Sequence, residues 1–172
     1  MWVFDATPLI YLAKVDQLTL VSELDEPCVI PDRVYSEVVD TGIEQGYPDA
    51  RRIEQSIEDE ILSVISVDND EFFSRVQRNP KLSDADVAVL ACAYTHDGVA
   101  VMDETYGRDV ASTEGITTRG TAYLVLFLAS QNVISVEKAR TVIDEMVEQG
   151  WYCSPSMYAK IVQKLDSFQS DT

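Results

Sequence analysis

The sequence predicts an α/β protein in which a parallel sheet lies between layers of helices. Short apolar runs alternate along the chain with longer segments of helical periodicity, and this alternation is typical of parallel strands joined by helical crossovers. Two of the apolar runs, MWVF and VAVM, end directly at an aspartate, Asp5 and Asp103. In open sheets of this kind, sites form at the carboxyl ends of the strands. The pattern therefore predicts both the fold class and the edge at which a site would lie.

The first half of the chain contains three predicted strands and five helical segments. Pro8 occupies the first turn of a helix, where its missing N–H is tolerated. Asp32 is predicted to cap a helix that Gly42 ends. The strands are MWVF, CVIP and ILSVISV, and the helical segments are TPLIYLAKV, DQLTLVSEL, DRVYSEVVD, YPDARRIEQSIEDE and NDEFFSRVQRN.

The second half begins with a loop, NPKL, and an apolar helix predicted over residues 84–96. A turn at HDG leads into the strand VAVM, and ETYGRDVASTEG is predicted to be a short helix that Gly115 ends. A brief strand, ITT, precedes three helices: TAYLVLFLASQN, SVEKARTVIDEMVEQG and SPSMYAKIVQKLDSF. We find no repeat and no internal linker. One domain is therefore predicted over residues 1–172, with amphipathic C-terminal helices from about residue 136.

Composition narrows the class of protein. Hydrophobic residues make up 46% of the chain, which predicts a globular fold, and no window reaches the ~20 apolar residues of a membrane span. The start, MWVFDATPLI, has no basic segment, so we expect no signal peptide and a cytoplasmic location. The three scattered cysteines are expected to be buried thiols. Because His96 is the only histidine, histidine triads and multi-histidine metal sites are not expected.

The charge of the chain is strongly acidic. The chain has 30 acidic and 13 basic residues, which gives a net charge of −17. A surface with this charge repels nucleic acid at ordinary salt. In molar salt the Debye length falls to ~3 Å, and dense carboxylates keep a protein hydrated and soluble. The acids are spread along the chain, as in EQSIEDE and SVDNDEF, which predicts a salt-loving source; an acidic mesophilic protein is the alternative.

Four acidic residues on four separate elements are predicted to converge at the carboxyl edge of the sheet. Asp5 and Asp103 follow strands, Asp86 lies at the start of the helix 84–96, and Glu37 lies one turn into the helix that follows CVIP. Without a counterion these groups would repel one another. Mg²⁺ and Mn²⁺ prefer such oxygen ligands and promote phosphodiester hydrolysis.

Each acid also has a purely structural explanation. Asp5 can cap the helix that follows it, Asp103 can start a turn, and Glu37 can face solvent. Ser83 is a good N-cap, and Asp86 three residues later completes the pattern of a capping box. Acidic residues also favour the positive end of a helix dipole. The order and spacing of all four acids carry more weight than any one of them.

The ordered motifs resemble a known family. The segments that carry the likeness are FDATPLIYLAKVDQL, VIPDRVYSEVVD, LSDADVAVLACAYTHDGVAVMDE and the C-terminal stretch from TTRGTAYL to SMYAKIV. Together they resemble PIN-domain nucleases, and within these the VapC-type toxin branch. The resemblance implies a PIN fold and a magnesium- or manganese-dependent endoribonuclease that hydrolyses single-stranded RNA. It also implies a homodimer paired with a small antitoxin protein. With the acidic surface, it points to a halophilic archaeon as the source.

The resemblance assigns roles to particular acids. Asp5, Glu37, Asp86 and Asp103 are expected to be the catalytic metal ligands. Ser83 precedes Asp86 by three residues, as a hydroxyl does in many relatives, which favours Asp86 over Asp84. The two aspartates lie about 200° apart around a helix, although Asp84 can still reach from the first turn.

Supporting residues follow from the same resemblance. Glu104 matches a further acid that the family often has shortly after the position of Asp103, and Asp109 is a weaker match. Thr7 occupies the position of a small hydroxyl that supports the first aspartate. Arg33, Arg108 and Arg119 are candidates for contact with the RNA backbone; solvated surface arginines are the alternative.

Four functions compete. They are a toxin ribonuclease, a PIN nuclease of RNA processing or decay, a non-catalytic cation- or RNA-binding module, and a phosphoryl-transfer protein resembling a response-regulator receiver. The last is disfavoured because no strand-end lysine is available to hold a phosphoryl group. A homodimer is expected because TAYLVLFLA and the terminal helices are strongly apolar, with Tyr11, Phe127 and Trp151 as interface anchors; burial in the core is the alternative.

Overall fold

The computed structural model describes residues 1–170 and contains a five-stranded, all-parallel sheet, so the predicted fold class is confirmed. The strand order is β3-β2-β1-β4-β5. The order runs outward from β1 in one direction through β2 and β3, and in the other through β4 and β5. The strands are β1 Trp2–Phe4, β2 Cys28–Pro31, β3 Ser63–Ile65, β4 Val99–Val101 and β5 Thr118–Arg119. The order therefore reverses between β1 and β4.

Within residues 1–170, ten α-helical segments surround the sheet, and residues Leu18–Glu23 form a 3₁₀ turn. A π-helical turn, Ser36–Thr41, joins the second and third segments. The segments are α1 Ala6–Lys14, α2 Asp32–Tyr35, α3 Gly42–Glu44, α4 Pro48–Glu58, α5 Glu71–Val76, α6 Asp84–Thr95, α7 Thr105–Thr113, α8 Thr121–Ser130, α9 Val136–Glu148 and α10 Pro155–Ser170.

One contiguous hydrophobic core joins the sheet to its helices. Helix α6 lies at its centre and packs on β1, β2 and β4, and its residues from Val87 to Ala93 are all buried. Helices α8, α9 and α10 pack on one another, and α1 packs on α4 and α9. The central strands, buried on both faces, read as apolar runs for this reason. The predicted domain end at residue 172 lies outside the described residues.

The prediction that Gly42 ends a helix is wrong. The helix that starts at Asp32 continues through the π turn into α3, and Gly42 has an ordinary helical φ of −62°. The N-cap is Pro31, so Asp32 is the first helical residue. Glycine is needed at 42 for packing: a Cβ there would lie 2.7 Å from the Ala50 Cβ. The left-handed turn after the helix is made by Gly46, at φ +76°.

Two other predicted elements differ in extent. DQLTLVSEL is helical only as the short 3₁₀ turn, and the last strand lies at Thr118–Arg119 rather than over ITT. The three cysteines are free; Cys28 and Cys92 are buried as predicted, whereas Cys153 is only half-buried. Burial raises the pKa of Cys28 and of Cys92 to about 11. Within residues 1–170, no helix is both long and apolar enough to span a membrane.

We predict that Gly42→Ala destabilises the protein by about 1–3 kcal/mol, because the new methyl group forces α3 away from α4. Adding Ala50→Gly should recover part of the loss, since it removes the opposing Cβ. The free energy of unfolding, measured by denaturant titration in molar KCl, tests this. Helix propensity alone predicts the opposite sign, a gain of up to ~1 kcal/mol for Gly42→Ala, and that result would refute the packing explanation.

Candidate functional site

Asp5 and Asp103 lie at the same edge of the sheet because their strands are neighbours. Phe4 of β1 pairs with Val101 of β4, and the Asp5 amide donates to the Val101 carbonyl oxygen at 3.0 Å. Both acids thus follow the carboxyl ends of the two strands at which the strand order reverses. A crevice at this position is the usual ligand site of open α/β sheets.

Asp5 is a buried carboxylate surrounded by other carboxylates. Only 6% of the surface of Asp5 is exposed to solvent. Burial, followed by the charge of Asp86, raises the pKa of Asp5 to about 7; Glu37 and Asp103 act in the same direction, and a hydrogen bond from the Ala6 amide opposes them. The structure therefore brings all four predicted acids into electrostatic contact around Asp5. Over residues 1–170, none of the four forms an ion pair with lysine or arginine.

Helix capping does not explain Asp5. It occupies the N-cap position of α1, but its side chain makes no capping hydrogen bond. Asp86 differs, since the predicted capping box is present. The Asp86 amide donates to Ser83 Oγ at 3.1 Å, and the Ser83 amide donates to Asp86 Oδ2 at 2.8 Å. The cap uses one of the two carboxylate oxygens of Asp86.

Glu37 lies in the π-helical turn Ser36–Thr41. Such turns are rare and occur frequently at functional sites, because the extra residue redirects the side chains around it. Partial burial of its carboxyl group, followed by the charge of Asp86, raises the pKa of Glu37. The residue as a whole is exposed.

Asp103 is held by three hydrogen-bond donors. Thr121 donates its amide to Oδ1 at 2.7 Å and its hydroxyl to Oδ2 at 2.8 Å, and Trp151 Nε1 donates to Oδ2 at 2.9 Å. A Cβ at Gly120 would lie 3.0 Å from Asp103 Oδ1, so a larger residue there would have to displace this carboxylate by a few tenths of an ångström. Thr121 was not predicted as a partner. Trp151 is buried, at 3% exposed, so of its two predicted positions the core is correct and the dimer interface is wrong.

The secondary candidates occupy less central positions. Asp84 is exposed and accepts a hydrogen bond from Gln77 Nε2 at 3.1 Å, whereas Glu104 caps α7 through the amides of Tyr106 and Gly107. Thr7 makes no capping contact with Asp5; it lines an open cleft beside Asp103.

The three candidate arginines differ in their contacts. Arg33 donates to Val67 O and Asn69 Oδ1, and its guanidinium lies over the Phe73 ring. Arg119 donates to the carbonyl of its neighbour Thr118 and lies over the Tyr123 ring. Arg108 lies near Asp103, because a Cβ at Gly120 would lie 3.5 Å from Arg108 Nη1 and 3.0 Å from Asp103 Oδ1.

The residues present fit a hard divalent cation by chemistry. The donor set consists of carboxylate oxygens, which Mg²⁺ and Mn²⁺ prefer, and the repulsion around Asp5 lacks a neighbouring positive charge. Among the described residues, no three acidic, histidine or cysteine side chains are grouped closely enough to form a ready cation cage. The carboxylate of Asp86 instead accepts a hydrogen bond from Ser83, and that of Asp103 accepts hydrogen bonds from Thr121 and Trp151. These oxygens keep further lone pairs for a cation, and a shared cation requires the acidic side chains to move closer together.

The fold and the grouped acids define an α/β protein with an acidic site at the carboxyl edge of its sheet. A family model described as PIN domain matches residues 1–167. The chain therefore belongs to the PIN-domain family, whose members are generally nucleases. No curated protein and no solved structure gives a significant match to it.

We predict that Asp5→Asn is more stable than wild type in the presence of a chelator, by a margin that grows with pH. Folded Asp5 keeps its proton up to about pH 7, whereas in the unfolded chain it ionises near its ordinary value of 3.8. Stability therefore falls as pH rises between these values, and asparagine removes this loss, worth up to ~4 kcal/mol. Denaturant unfolding at several pH values from 5 to 8 measures the difference.

The matched control is Asp97→Asn, which removes the same charge from an exposed turn before β4, at the opposite edge of the sheet. It should follow the wild-type pH dependence. If the stability of Asp5→Asn parallels that of wild type across this range, Asp5 does not carry the raised pKa.

Proposed function

We propose that the protein is a metal-dependent endoribonuclease that hydrolyses single-stranded RNA and acts as the toxin of a toxin–antitoxin pair. The observation that carries this proposal is the state of Asp5. It is a buried carboxylate with no cap and no ion pair, and three other carboxylates raise its pKa. Such a group costs stability, and a cation-dependent activity is the reason we infer for its presence.

Asp5, Glu37, Asp86 and Asp103 are the proposed ligands. A bound Mg²⁺ or Mn²⁺ would supply a nucleophilic hydroxide from water and neutralise charge on the phosphate. The chain supplies the orientation of these ligands. Thr121 and Trp151 donate to the carboxylate of Asp103, and the Ser83 amide holds one oxygen of Asp86. Asp5 must lose its proton before it can act as a ligand.

The surface charge constrains where this activity operates. A net charge of −17 opposes the approach of RNA in dilute buffer. In molar salt this long-range repulsion is screened within a few ångströms, about 3 Å at 1 M. We therefore propose that the protein works in the salt-rich cytoplasm of a halophilic organism. Arg108, beside the acids, is the proposed contact to the RNA backbone.

Partners follow from the same proposal. A small antitoxin is expected to bind and block the acidic site. We also propose a homodimer through α8, where Tyr123 is 39% exposed and stacks on Phe127 with ring centres 6.0 Å apart. Two other functions would use the same acidic residues.

A processing nuclease would use the same chemistry without an antitoxin, and a non-catalytic module would bind the cation without cutting RNA.

We predict that Asp5→Asn lowers the rate of RNA cleavage by at least ~10²-fold while leaving the fold intact. Asparagine keeps the volume and one oxygen but removes the charge, and the lost interaction is strongest in the transition state. The assay is cleavage of single-stranded RNA with Mg²⁺ or Mn²⁺ in molar KCl, with circular dichroism of each variant.

Asp97→Asn serves again as the control and should cleave at the wild-type rate. An Asp5→Asn variant that cleaved as fast as wild type would refute the proposed centre. A wild-type protein that bound the cation in calorimetry but cut no RNA would favour the non-catalytic module.

A further inference from the structure

An open cleft of about 430 Å³ lies beside Asp103, within the size range of small-ligand pockets. It is formed by α1, by the start of α7 and by the loop between α9 and α10. Its lining residues are Thr7, Tyr11, Asp103, Glu104, Thr105, Gly150, Trp151 and Tyr152. Because Asp103 belongs both to this lining and to the acidic site, a ligand in the cleft lies next to that site.

The charge of the cleft indicates which part of a nucleotide it accepts. The lining contains two carboxylates, Asp103 and Glu104, and no lysine or arginine. Lys14 lies against the Tyr11 ring, 5.2 Å from the ring centre, but is not part of the lining. These two carboxylates would repel a phosphate group. An uncharged, flat group with hydrogen-bonding edges fits them better, and Thr7 and Thr105 offer hydroxyls that both donate and accept.

Tyr152 presents an aromatic ring at this cleft. It is 84% exposed, more than any other large hydrophobic side chain exposed among the described residues. The loop that carries it is held on two sides. Tyr11 Oη donates to the Gly150 carbonyl at 3.2 Å, and Trp151 Nε1 donates to Asp103 at 2.9 Å. Gly150, at φ +98°, makes the left-handed turn that this loop requires.

We propose that this cleft is a nucleobase subsite in which the Tyr152 ring stacks on an unpaired base of the substrate. The inference rests on the proposed function and deepens it, because it names the part of the chain that holds an unpaired base of the single-stranded substrate. A base in a duplex is already stacked on both faces, whereas an unpaired base offers a free face to an aromatic side chain. Stacking also suits an acidic protein in high salt, because it does not depend on phosphate contacts.

The test is RNA binding by the full-length protein in molar KCl with a chelator, so that cleavage plays no part. The probe is a fluorescent, unstructured oligoribonucleotide, with an abasic oligomer of equal length as the second ligand. Tyr152→Ala should weaken binding of the intact RNA roughly tenfold, and Tyr152→Phe should stay within about twofold of wild type because the stacking face remains. Tyr47→Ala removes a tyrosine that is 53% exposed and outside the cleft lining, and should change nothing.

The abasic oligomer isolates the base. Wild type and Tyr152→Ala should bind it equally weakly, since the partner of the ring is absent. The proposal is overturned if Tyr152→Ala binds intact RNA as wild type does, or if its loss is the same for the abasic oligomer. It is also overturned if Tyr152→Ala converts a dimer into a monomer in light scattering, because the ring would then contact a second copy of the chain.

The result can be separated from the fate of the proposed nuclease. If wild type cleaves RNA but Tyr152→Ala binds it normally, only the subsite is refuted. If wild type cleaves no RNA but the base-dependent loss is observed, the subsite stands and the catalytic proposal fails. The loss should also persist from moderate to molar KCl, because stacking lacks the steep salt dependence of phosphate contacts.

Discussion

The pairing of β1 with β4 is the constraint on which the site depends. The Asp5 amide continues the ladder by donating to Val101 O, which holds the start of α1 against the end of β4. Asp5 and Asp103 therefore lie at the same edge of the sheet. Helix α6 packs under both strands, and its first turn carries Asp86 to the same edge. The helix after β2 carries Glu37. A parallel sheet whose strand order reverses at this pair therefore concentrates four negative charges in one place.

The four acids receive different numbers of hydrogen bonds from the surrounding residues. Asp103 receives three hydrogen bonds, from Thr121 and Trp151, and Asp86 receives one from its cap. Asp5 is the most buried of the four and, among the described residues, receives a hydrogen bond from the Ala6 amide alone, and burial with the neighbouring carboxylates raises its pKa to about 7. Unequal compensation is a common feature of sites whose ionisable groups take different roles. In our account a bound cation would offset the charge of Asp5 once this group ionises.

Local signals in the sequence predicted the parts of the site that depend on neighbouring residues. Apolar runs ending in Asp5 and Asp103 located the strand ends, and the spacing of Ser83 and Asp86 predicted a capping box that is present. The bonds to Asp103 could not be predicted in the same way. Trp151 lies 48 residues from Asp103 along the chain, so their contact follows only from tertiary packing.

Errors in the predicted elements have the same origin. Gly42 looked like a helix end because glycine often ends helices, yet here it allows α3 to pack closely on Ala50. The π turn around Glu37 has no simple sequence pattern, although it shapes the position of a candidate ligand. The sequence left the position of Trp151 open because an aromatic residue before a predicted helix fits both an interface and a core, and the structure buries it.

The measurement that tests the central claim most directly is calorimetric titration of Mn²⁺ into wild type, Asp5→Asn and Asp97→Asn in molar KCl at pH 6 and pH 8. Our account predicts saturable binding by wild type and Asp97→Asn, tighter at pH 8, with proton release on binding at pH 6 as Asp5 ionises. Asp5→Asn should lose most of the affinity and the proton release. The account is contradicted if wild type binds no Mn²⁺, or if Asp5→Asn binds it with unchanged affinity and unchanged proton release.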